Sequence, residues 1–421
     1  MTQIKSARRQ EITPEVQQIA LKEGISSEKL MQKVAEGKIV ILKNINHSHI
    51  TPVGVGEGLS IKINANIGTS NQRSCIEEEV IKLEVAQETG ADAAMDLSTG
   101  KDIDKTRKII LEKATIPIGT VPIYQIGVEA INNRETFMEV DKDKILEVIE
   151  NHCRDGVDFI TVHCGVTKNV VRLLENQGRT TGIVSRGGSM HASWIKKHNM
   201  ENPLYEYYDE LLDIVKAYDA TLSLGDGLRP GCGADAGDRA QVAETIVLGE
   251  LVQRARQAGV QAMVEGPGHV PLNLIKGIIE TVKTLTQGAP LYVLGPLVTD
   301  IAPGYDHITS AIGGTVAAAS GADFLCYVTP SEHIGLPNLE QVKQGVIASK
   351  LAAHAADVAN GRKDAIERDR LMSIARVNLD WKKQAEYALD KDVFEKIDDG
   401  EPCTMCGEYC SMKIFKETSK V

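Results

Sequence analysis

The sequence lacks long hydrophobic runs, although apolar residues make up 42% of its 421 positions. No apolar run approaches the length of a membrane-spanning helix. The first residues, Met1–Lys5, lead into a polar, charged stretch that contains no hydrophobic signal segment. We therefore expect a cytoplasmic protein that does not bind membranes.

Basic residues are also few relative to acidic ones. The 47 lysines and arginines are outnumbered by 58 acidic residues, which leaves a net charge of −11. This excludes general attraction to nucleic acid or to an anionic membrane surface. Any phosphate on a small substrate must then be met by local arginine, lysine or backbone N–H groups.

Cysteine is scarce, and three of the eight cysteines lie within Cys403–Cys410. In a reducing compartment cysteines are not expected to form structural disulfides. Metal binding or redox chemistry is therefore the better interpretation of the clustered set.

Between about residues 60 and 330, short β-branched runs alternate with stretches of helical periodicity. There are nine such runs: Ile61–Asn66, Ala91–Leu97, Ile118–Tyr124, Val157–His163, Gly182–Ser185, Ala220–Leu224, Val260–Glu265, Leu291–Leu294 and Ala322–Val328. This alternation is typical of a parallel sheet with right-handed crossovers. A closed (β/α)8 barrel is the best fit, so one of the nine runs must lie outside it.

The runner-up fold is a doubly wound open sheet, but the sequence lacks a G-x-G-x-x-G motif after the first strand of the repeating region. We predict four parts within this α/β protein. They are a small N-terminal α/β extension (1–55), the catalytic barrel (56–336), a helical region (337–395) and a polar, mobile cysteine-rich tail (396–421).

The cysteine tail reads Cys403-Thr404-Met405-Cys406-Gly407-Glu408-Tyr409-Cys410, a C-x2-C-x3-C arrangement. Three thiolates leave one iron of a [4Fe–4S] cluster without a protein ligand, and that iron can bind S-adenosylmethionine and reduce its sulfonium. The alternative is a zinc knuckle with a histidine from elsewhere, since no histidine follows His354.

Polar residues follow the strand-like runs at the positions where barrel enzymes carry their chemistry. Ser185–Gly188 and Asp226–Arg229 each place an arginine beside flexible backbone, an arrangement suited to phosphate. His163, His269, His307 and His333 are candidates for metal binding or acid–base chemistry. A zinc-dependent barrel lyase or hydrolase, and an interaction protein with a zinc tail, are the competing classes.

Seven segments together resemble the phosphomethylpyrimidine synthase family, the thiamin pyrimidine synthases. They are Asn64–Ser70, Ser185–Gly188, Ser223–Gly231, Glu265–Pro271, Leu294–His307, Leu325–His333 and Cys403–Lys413. The resemblance extends from about Asn64 to the C-terminus. Larger members separate the last two cysteines by four residues, whereas this chain has three.

The resemblance implies a homodimeric radical S-adenosylmethionine lyase built on a (β/α)8 barrel. Its substrate would be 5-aminoimidazole ribotide and its product 4-amino-5-hydroxymethyl-2-methylpyrimidine phosphate. A flavodoxin or ferredoxin would donate the electron. A similar group of paralogues makes 5-hydroxybenzimidazole for the lower ligand of cobamides (cobalamin biosynthesis) from the same ribotide, and the motifs do not separate the two products.

The resemblance also implies roles for individual residues. Substrate contacts are expected from Asn66, Met95, Tyr124, His163, Ser185, Arg186, Gly187, Asp226, Gly227, Leu228, Arg229, Glu265 and Tyr292. A zinc ion is expected on His269 and His333, and the [4Fe–4S] cluster on Cys403, Cys406 and Cys410. Glu265 is our candidate for ribose contact or proton transfer, and Cys326 for hydrogen-atom relay, although Cys326 also fits an ordinary core cysteine.

Overall fold

The N-terminal region contains three helices and a two-stranded antiparallel sheet. A computed structural model describes residues 1–394 and 402–418. The elements are α1 (Gln3–Arg8), α2 (Pro14–Glu23), α3 (Ser27–Ala35), β1 (Ile39–Leu42) and β2 (Val53–Gly56). Thr13 caps α2 by accepting the Val16 N–H at 3.2 Å, and Gly24 ends the helix in the left-handed conformation.

Eight parallel strands close into a barrel, which confirms the predicted α/β fold and excludes the open sheet. In chain order they are β3 (Lys62–Ile67), β4 (Ala93–Asp96), β5 (Ile118–Thr120), β6 (Phe159–Val162), β7 (Thr221–Leu224), β8 (Ala262–Gly266), β9 (Leu291–Leu294) and β10 (Phe324–Cys326). The last strand pairs with the first, in the register Cys326 to Asn64, and this pairing closes the barrel.

Helices surround the barrel and cover both the strands and their connections. They are α4 (Ile76–Thr89), α5 (Ile103–Lys113), α6 (Pro122–Asn132), α7 (Lys142–Asp155), α8 (Lys168–Gln177), α9 (Arg186–His198), α10 (Pro203–Glu206), α11 (Tyr208–Tyr218), α12 (Arg239–Ala258), α13 (Leu272–Leu285), α14 (Asp306–Ala319) and α15 (Leu339–Ala359). Their inner faces and the apolar strands form one large buried core, as expected for a sheet covered by helices.

The N-terminal region covers the amino-terminal end of the barrel strands. The Ile41 N–H donates to Gln261 Oε1 at 2.7 Å, just before β8. The Asn44 N–H donates to Asp158 Oδ1 at 2.8 Å, just before β6. The opposite end, where the strands finish, is the one that barrel enzymes use for chemistry.

The run in excess of eight, which the sequence alone could not identify, is Gly182–Ser185, and it is not a strand. It forms irregular chain that leads into α9, and Ser185 caps that helix by accepting the Gly188 N–H at 3.1 Å. Its β-branched residues thus belong to a helix approach. The run Ile118–Tyr124 is also shorter than predicted, because Pro122 begins α6 and places Tyr124 on that helix.

The chain divides into the units Met1–Ala353 and His354–Val421. The second unit contains the end of α15, then α16 (Lys363–Val377), α17 (Trp381–Tyr387) and α18 (Ser411–Thr418). Helix α18 lies where the sequence predicted only a polar, mobile tail. The predicted domain boundaries at 55, 336 and 395 stay predictions.

None of the helices in residues 1–394 and 402–418 combines the length and hydrophobicity that a membrane span requires. All eight cysteines lie in these ranges and carry free thiols.

Candidate active site at the barrel mouth

A cavity of about 160 Å³ opens where the barrel strands end. Its lining comes from all eight strands or the residues that follow them. The polar and sulfur-containing side chains that line it are Asn66, Met95, Tyr124, Thr161, His163, Arg186, Asp226, Arg229, Glu265, Tyr292, Cys326 and Glu332. The fold therefore gathers residues that are up to 266 positions apart (332 − 66) in the sequence.

One side of the cavity carries two acids beside an arginine. Glu265 accepts hydrogen bonds from Thr161 Oγ1 and Ser223 Oγ, both at 2.8 Å. Asp226 Oδ1 lies 3.4 Å from the Arg229 guanidinium. Burial raises the pKa of Glu265, and it raises that of Asp226 well above its usual value. Neutral carboxyl groups are thus favoured here, and Arg229 keeps a positive charge available for an anionic ligand.

A second arginine enters from α9. The Arg186 guanidinium lies over the Tyr124 ring at 4.3 Å from its centroid, a cation–π contact. The aromatic face fixes the arginine without consuming its N–H donors. Arg186 and Arg229 therefore give the cavity two cationic forks that are suited to phosphate oxygens.

Opposite these cations, β3, β9 and β10 bring together amides, a phenol and a thiol. Asn64 Nδ2 donates to Tyr292 Oη at 2.8 Å, and Asn66 Nδ2 donates to Cys326 Sγ at 3.0 Å. Tyr292 Oη also approaches Met95 Sδ at 3.6 Å. Burial raises the pKa of Cys326 to about 12, so its sulfur is held as a thiol and not a thiolate.

His163 lies on the cavity wall in its neutral form, because burial holds its pKa well below the usual value. Its Nε2 lies 3.2 Å from Ser185 Oγ. A Cβ added at Gly187 would lie 2.2 Å from the His163 ring, so only glycine fits at this position. The S-R-G sequence thus lets α9 pack directly on the imidazole.

The predicted substrate residues that line the cavity are Asn66, Met95, Tyr124, His163, Arg186, Asp226, Arg229, Glu265 and Tyr292. The other four, Ser185, Gly187, Gly227 and Leu228, are beside it and not on its surface. Leu228 is fully buried and packs with Val170, Leu174 and Ala240, away from the cavity. Its side chain therefore does not line the cavity, and its backbone is bonded to Glu244 and Arg179.

A second cavity of about 230 Å³ adjoins the first and shares Asn66, Leu97, Arg186 and Glu332 with it. The loop Gly68–Ser70, Tyr327 and Thr329 form much of its wall. The sequence suggested the Asn64–Asn66 segment but not this neighbouring space, because periodicity does not reveal cavities.

His269 and His333 lie side by side, with ring centroids 5.3 Å apart. Each has an acidic partner at Nδ1, with Asp300 Oδ1 at 2.8 Å from His269 and Asp306 Oδ1 at 3.0 Å from His333. Carboxylates at Nδ1 leave Nε2 unprotonated for a metal. Two imidazoles on one tetrahedral zinc, with Zn–N distances of about 2.0–2.1 Å, place their centroids roughly 5 Å apart. The histidine pair therefore fits a shared metal ion.

The sequence did not identify Asp300 and Asp306 as partners of these histidines. A possible signal was present, since both lie in the segment Leu294–His307 that follows β9. Their pairing depends on how two separate loops meet, which local patterns do not encode.

The cysteine segment Cys403–Cys410 folds into a tight turn. The Gly407 N–H donates to the Cys403 carbonyl at 3.0 Å, and Gly407 has a φ of 50°. Backbone N–H groups of Met405 and Cys406 hold the pKa of the Cys403 thiol below its usual value. Desolvation, followed by the nearby sulfurs of Cys403 and Cys410, raises the pKa of Cys406, so the three thiols interact with one another.

Within the described ranges, no three histidine, cysteine or acidic side chains are grouped closely enough to hold a metal ion on their own. This finding covers the three thiols of the turn, Cys403, Cys406 and Cys410.

The family model and the similar sequences point to the same family. Residues 2–417 match the radical SAM ThiC family. A phosphomethylpyrimidine synthase from Desulforamulus reducens is 59% identical over 99% of this chain and 98% of its own. Proteins of the same name from Thermoanaerobacter sp. and Dehalococcoides mccartyi are 55% and 54% identical with the same coverage.

Proposed function

Because the chain belongs to the radical SAM ThiC family, we propose that it rearranges 5-aminoimidazole ribotide to 4-amino-5-hydroxymethyl-2-methylpyrimidine phosphate in thiamin biosynthesis. The reaction makes it a carbon–carbon lyase. The observation that carries the proposal is the cavity at the barrel mouth, which offers two arginines to a small anion beside carboxyl groups of raised pKa, amides and a thiol.

The family implies a [4Fe–4S] cluster and S-adenosylmethionine. Cys403, Cys406 and Cys410 would hold the cluster, and their short turn and mutual electrostatic interaction support this assignment. When bound, the cluster and S-adenosylmethionine would supply the one-electron chemistry that hydrogen abstraction from the substrate requires. A flavodoxin or ferredoxin is the proposed electron donor.

Arg186 and Arg229 would hold the phosphate and fix the ribotide in one orientation, so that a single ribose C–H bond is presented for hydrogen abstraction. Glu265 is placed to contact the ribose. Its hydrogen bonds from Thr161 and Ser223 orient the carboxyl, and burial raises its pKa, which favours a carboxyl group that can hold or move a proton.

Asn66, Met95, Tyr292 and Cys326 would form the wall against the imidazole part of the substrate. A protonated Cys326 has a weak S–H bond and accepts the Asn66 amide N–H, so it is suited to pass a hydrogen atom. The apolar side chains among the lining residues, Leu97, Val121, Val293 and Leu294, would help to keep solvent hydrogen donors away while carbon fragments migrate.

We further propose that His269 and His333 bind a zinc ion. The two carboxylate partners and the ring spacing support this assignment. A bound zinc would provide a Lewis acid or a fixed anchor for the ribotide.

The remaining features of the family are also proposals for this chain: a cytoplasmic homodimer whose catalytic barrel spans 56–336. Support for the dimer comes from apolar side chains that are exposed along three neighbouring helices, α12 to α14. They are Val242, Ile246, Leu272, Leu274, Ile308 and Ile312, each between 38% and 49% exposed. An apolar surface of this kind is typical of a protein interface.

The experiment that tests the function identifies the product by mass. Anaerobically reconstituted protein is incubated with S-adenosylmethionine, a reductant and 5-aminoimidazole ribotide, and the products are analysed by mass spectrometry. We expect the pyrimidine phosphate. A hydroxybenzimidazole would show instead that the chain serves cobamide synthesis, and turnover without either product would contradict both.

A further inference from the structure

We propose that Asp300 is a positioning residue that couples the histidine metal site to the substrate loop 226–233, so that a divalent metal and the phosphorylated substrate bind cooperatively. The inference rests on two assignments of the proposed function. His269 and His333 bind a metal, and Arg229 binds the ribotide.

Asp300 connects the two sites through its two carboxylate oxygens. Its Oδ1 lies 2.8 Å from His269 Nδ1. Its Oδ2 accepts the backbone N–H of Gly233 at 2.9 Å. One carboxylate thus orients a proposed metal ligand and holds the end of the substrate loop.

A second contact joins the same histidine to the same loop. The His269 backbone N–H donates to the Pro230 carbonyl at 3.3 Å. Pro230 directly follows Arg229, whose side chain lines the substrate cavity. His269 is therefore tied to the loop on both sides of Gly231, once by its backbone and once through Asp300.

The other end of the loop is fixed by the barrel helices. The Leu228 N–H donates to Glu244 Oε2 at 2.8 Å, and the Leu228 carbonyl accepts from Arg179 at 2.7 Å. Arg229 lies between this buried anchor and the contacts from His269 and Asp300. Arg179 also donates to the Arg229 carbonyl, at 3.4 Å, so a change at the second anchor reaches Arg229 through its neighbour Pro230.

A metal ion changes the second anchor through the imidazole ring. Metal binding at Nε2 makes the Nδ1–H group a stronger donor and fixes the ring, so the contact to Asp300 strengthens. The Asp300 side chain is 45% exposed, so without a metal its hydrogen bonds are weakened by competing water. A loop held more firmly by the metal loses less freedom when the ribotide binds, and linkage requires the reverse effect to be equal.

His333 provides an internal comparison. Asp306 Oδ1 contacts His333 Nδ1 at 3.0 Å, but its other oxygen is buried without a hydrogen-bond partner among the residues that the structure describes. Asp306 therefore orients a proposed metal ligand as Asp300 does, without the contact to the Gly233 backbone. The substitutions D300N and D306N form a matched pair.

The test measures zinc affinity by chelator competition on the full chain, with and without saturating 5-aminoimidazole ribotide. The ribotide should tighten zinc binding to the unchanged protein at least about 5-fold, the lower end of typical couplings. Both variants should bind zinc about 10- to 100-fold more weakly, as expected for lost carboxylate partners. Only D300N should lose the tightening by ribotide, because an amide cannot accept from both His269 and Gly233.

The outcomes separate the inference from the proposed function. If the unchanged protein binds zinc equally well with and without ribotide, or if D306N loses the coupling as fully as D300N, the inference is wrong while the metal site stands. If the unchanged protein binds no zinc or no ribotide, the site assignment itself is wrong and the inference fails with it. The electronic spectrum of bound Co²⁺ gives a second readout, which should respond to ribotide in D306N but not in D300N.

Discussion

The barrel mouth and the cysteine segment differ in how their reactive groups are held. Around the cavity, reactive side chains are buried and tied to fixed partners, such as Thr161 and Ser223 on Glu265. In the segment Cys403–Cys410, by contrast, Met405 and Tyr409 are 92% and 88% exposed and Cys406 is exposed as well. Only Cys410 is buried there.

This difference indicates two ways of building a site. The barrel arranges the substrate cavity through its own packing, whereas the cysteine turn offers thiols whose final arrangement depends on what they bind. Substitutions at the mouth should therefore change affinity and orientation by graded amounts. Substitutions in the turn should remove the bound group altogether.

The largest expected effect comes from the turn. C406A should abolish the brown colour of anaerobically reconstituted protein and reduce 5′-deoxyadenosine formation to the detection limit. The reason is that the two remaining thiolates are too few to hold the cluster. Iron and sulfide content and the near-ultraviolet spectrum provide the measurement. The exposed Cys75 is the matched control, and C75A should retain the cluster. Equal iron content in C406A and the unchanged protein would contradict the assignment of Cys406.

At the barrel mouth, R229A should raise the KM for the ribotide about 10- to 100-fold, because a charged hydrogen bond contributes about 1.5–3 kcal/mol. The cluster content should not change, which distinguishes this effect from that of the turn. Steady-state kinetics provides the measurement, and R172A, on the surface of α8, serves as the control. An unchanged KM in R229A would show that Arg229 does not hold the phosphate.

A smaller effect is expected where Arg186 lies on the Tyr124 ring. Y124L should raise the KM about 3- to 30-fold, since a partly buried cation–π contact contributes roughly 0.5–2 kcal/mol. Y124F keeps the ring and should recover most of this loss. If Y124F is as poor as Y124L, the phenol hydroxyl and not the ring face makes the important contact.

The smallest expected effect is a pH dependence of Tm that arises from Glu244, which accepts the Leu228 N–H of the substrate loop. Burial raises the pKa of Glu244 from 4.5 to about 8, so the folded protein holds a proton that the unfolded chain has released. The stabilisation by this proton is complete below the unfolded-state pKa of 4.5. It is lost as the pH rises through the folded-state pKa of about 8. Glu244 alone should therefore lower Tm by roughly 1–2 °C per pH unit in this window.

E244Q cannot titrate, so its Tm should vary less between pH 5 and pH 8 than that of the unchanged protein. Glu250, on the same helix, supplies the control substitution E250Q. Parallel Tm profiles for E244Q and the unchanged protein would show that Glu244 is ionised in the folded state.

The barrel could be predicted because its strands are continuous apolar runs, and all eight lie within runs identified in the sequence or extend at most one residue beyond them. Gly182–Ser185 could not be recognised as the run in excess, since Ile183 and Val184 have strand propensity, but the segment leads into α9 and Ile183 packs beside that helix. Tertiary packing therefore decided between a strand and an irregular approach to the helix. The strand β2, with two glycines among its four residues, gave no apolar signal.

The cavity lining was predictable where motif residues lie at the ends of strands, as with Asn66 and Glu265. It was not predictable where partners come from separate loops. Asp300 and Asp306 pair with histidines 31 and 27 residues away, and only the folded chain brings them together. Leu228 shows the opposite case, because a residue within a motif can face the core and not the cavity.

The most direct test of the account is to mix reduced, oxygen-free holoprotein with S-adenosylmethionine and 5-aminoimidazole ribotide and to quantify 5′-deoxyadenosine. The account predicts 5′-deoxyadenosine in proportion to the pyrimidine phosphate formed, and none in C406A. Pyrimidine phosphate formed without 5′-deoxyadenosine, or a colourless protein that holds only zinc at the cysteine turn, would contradict it.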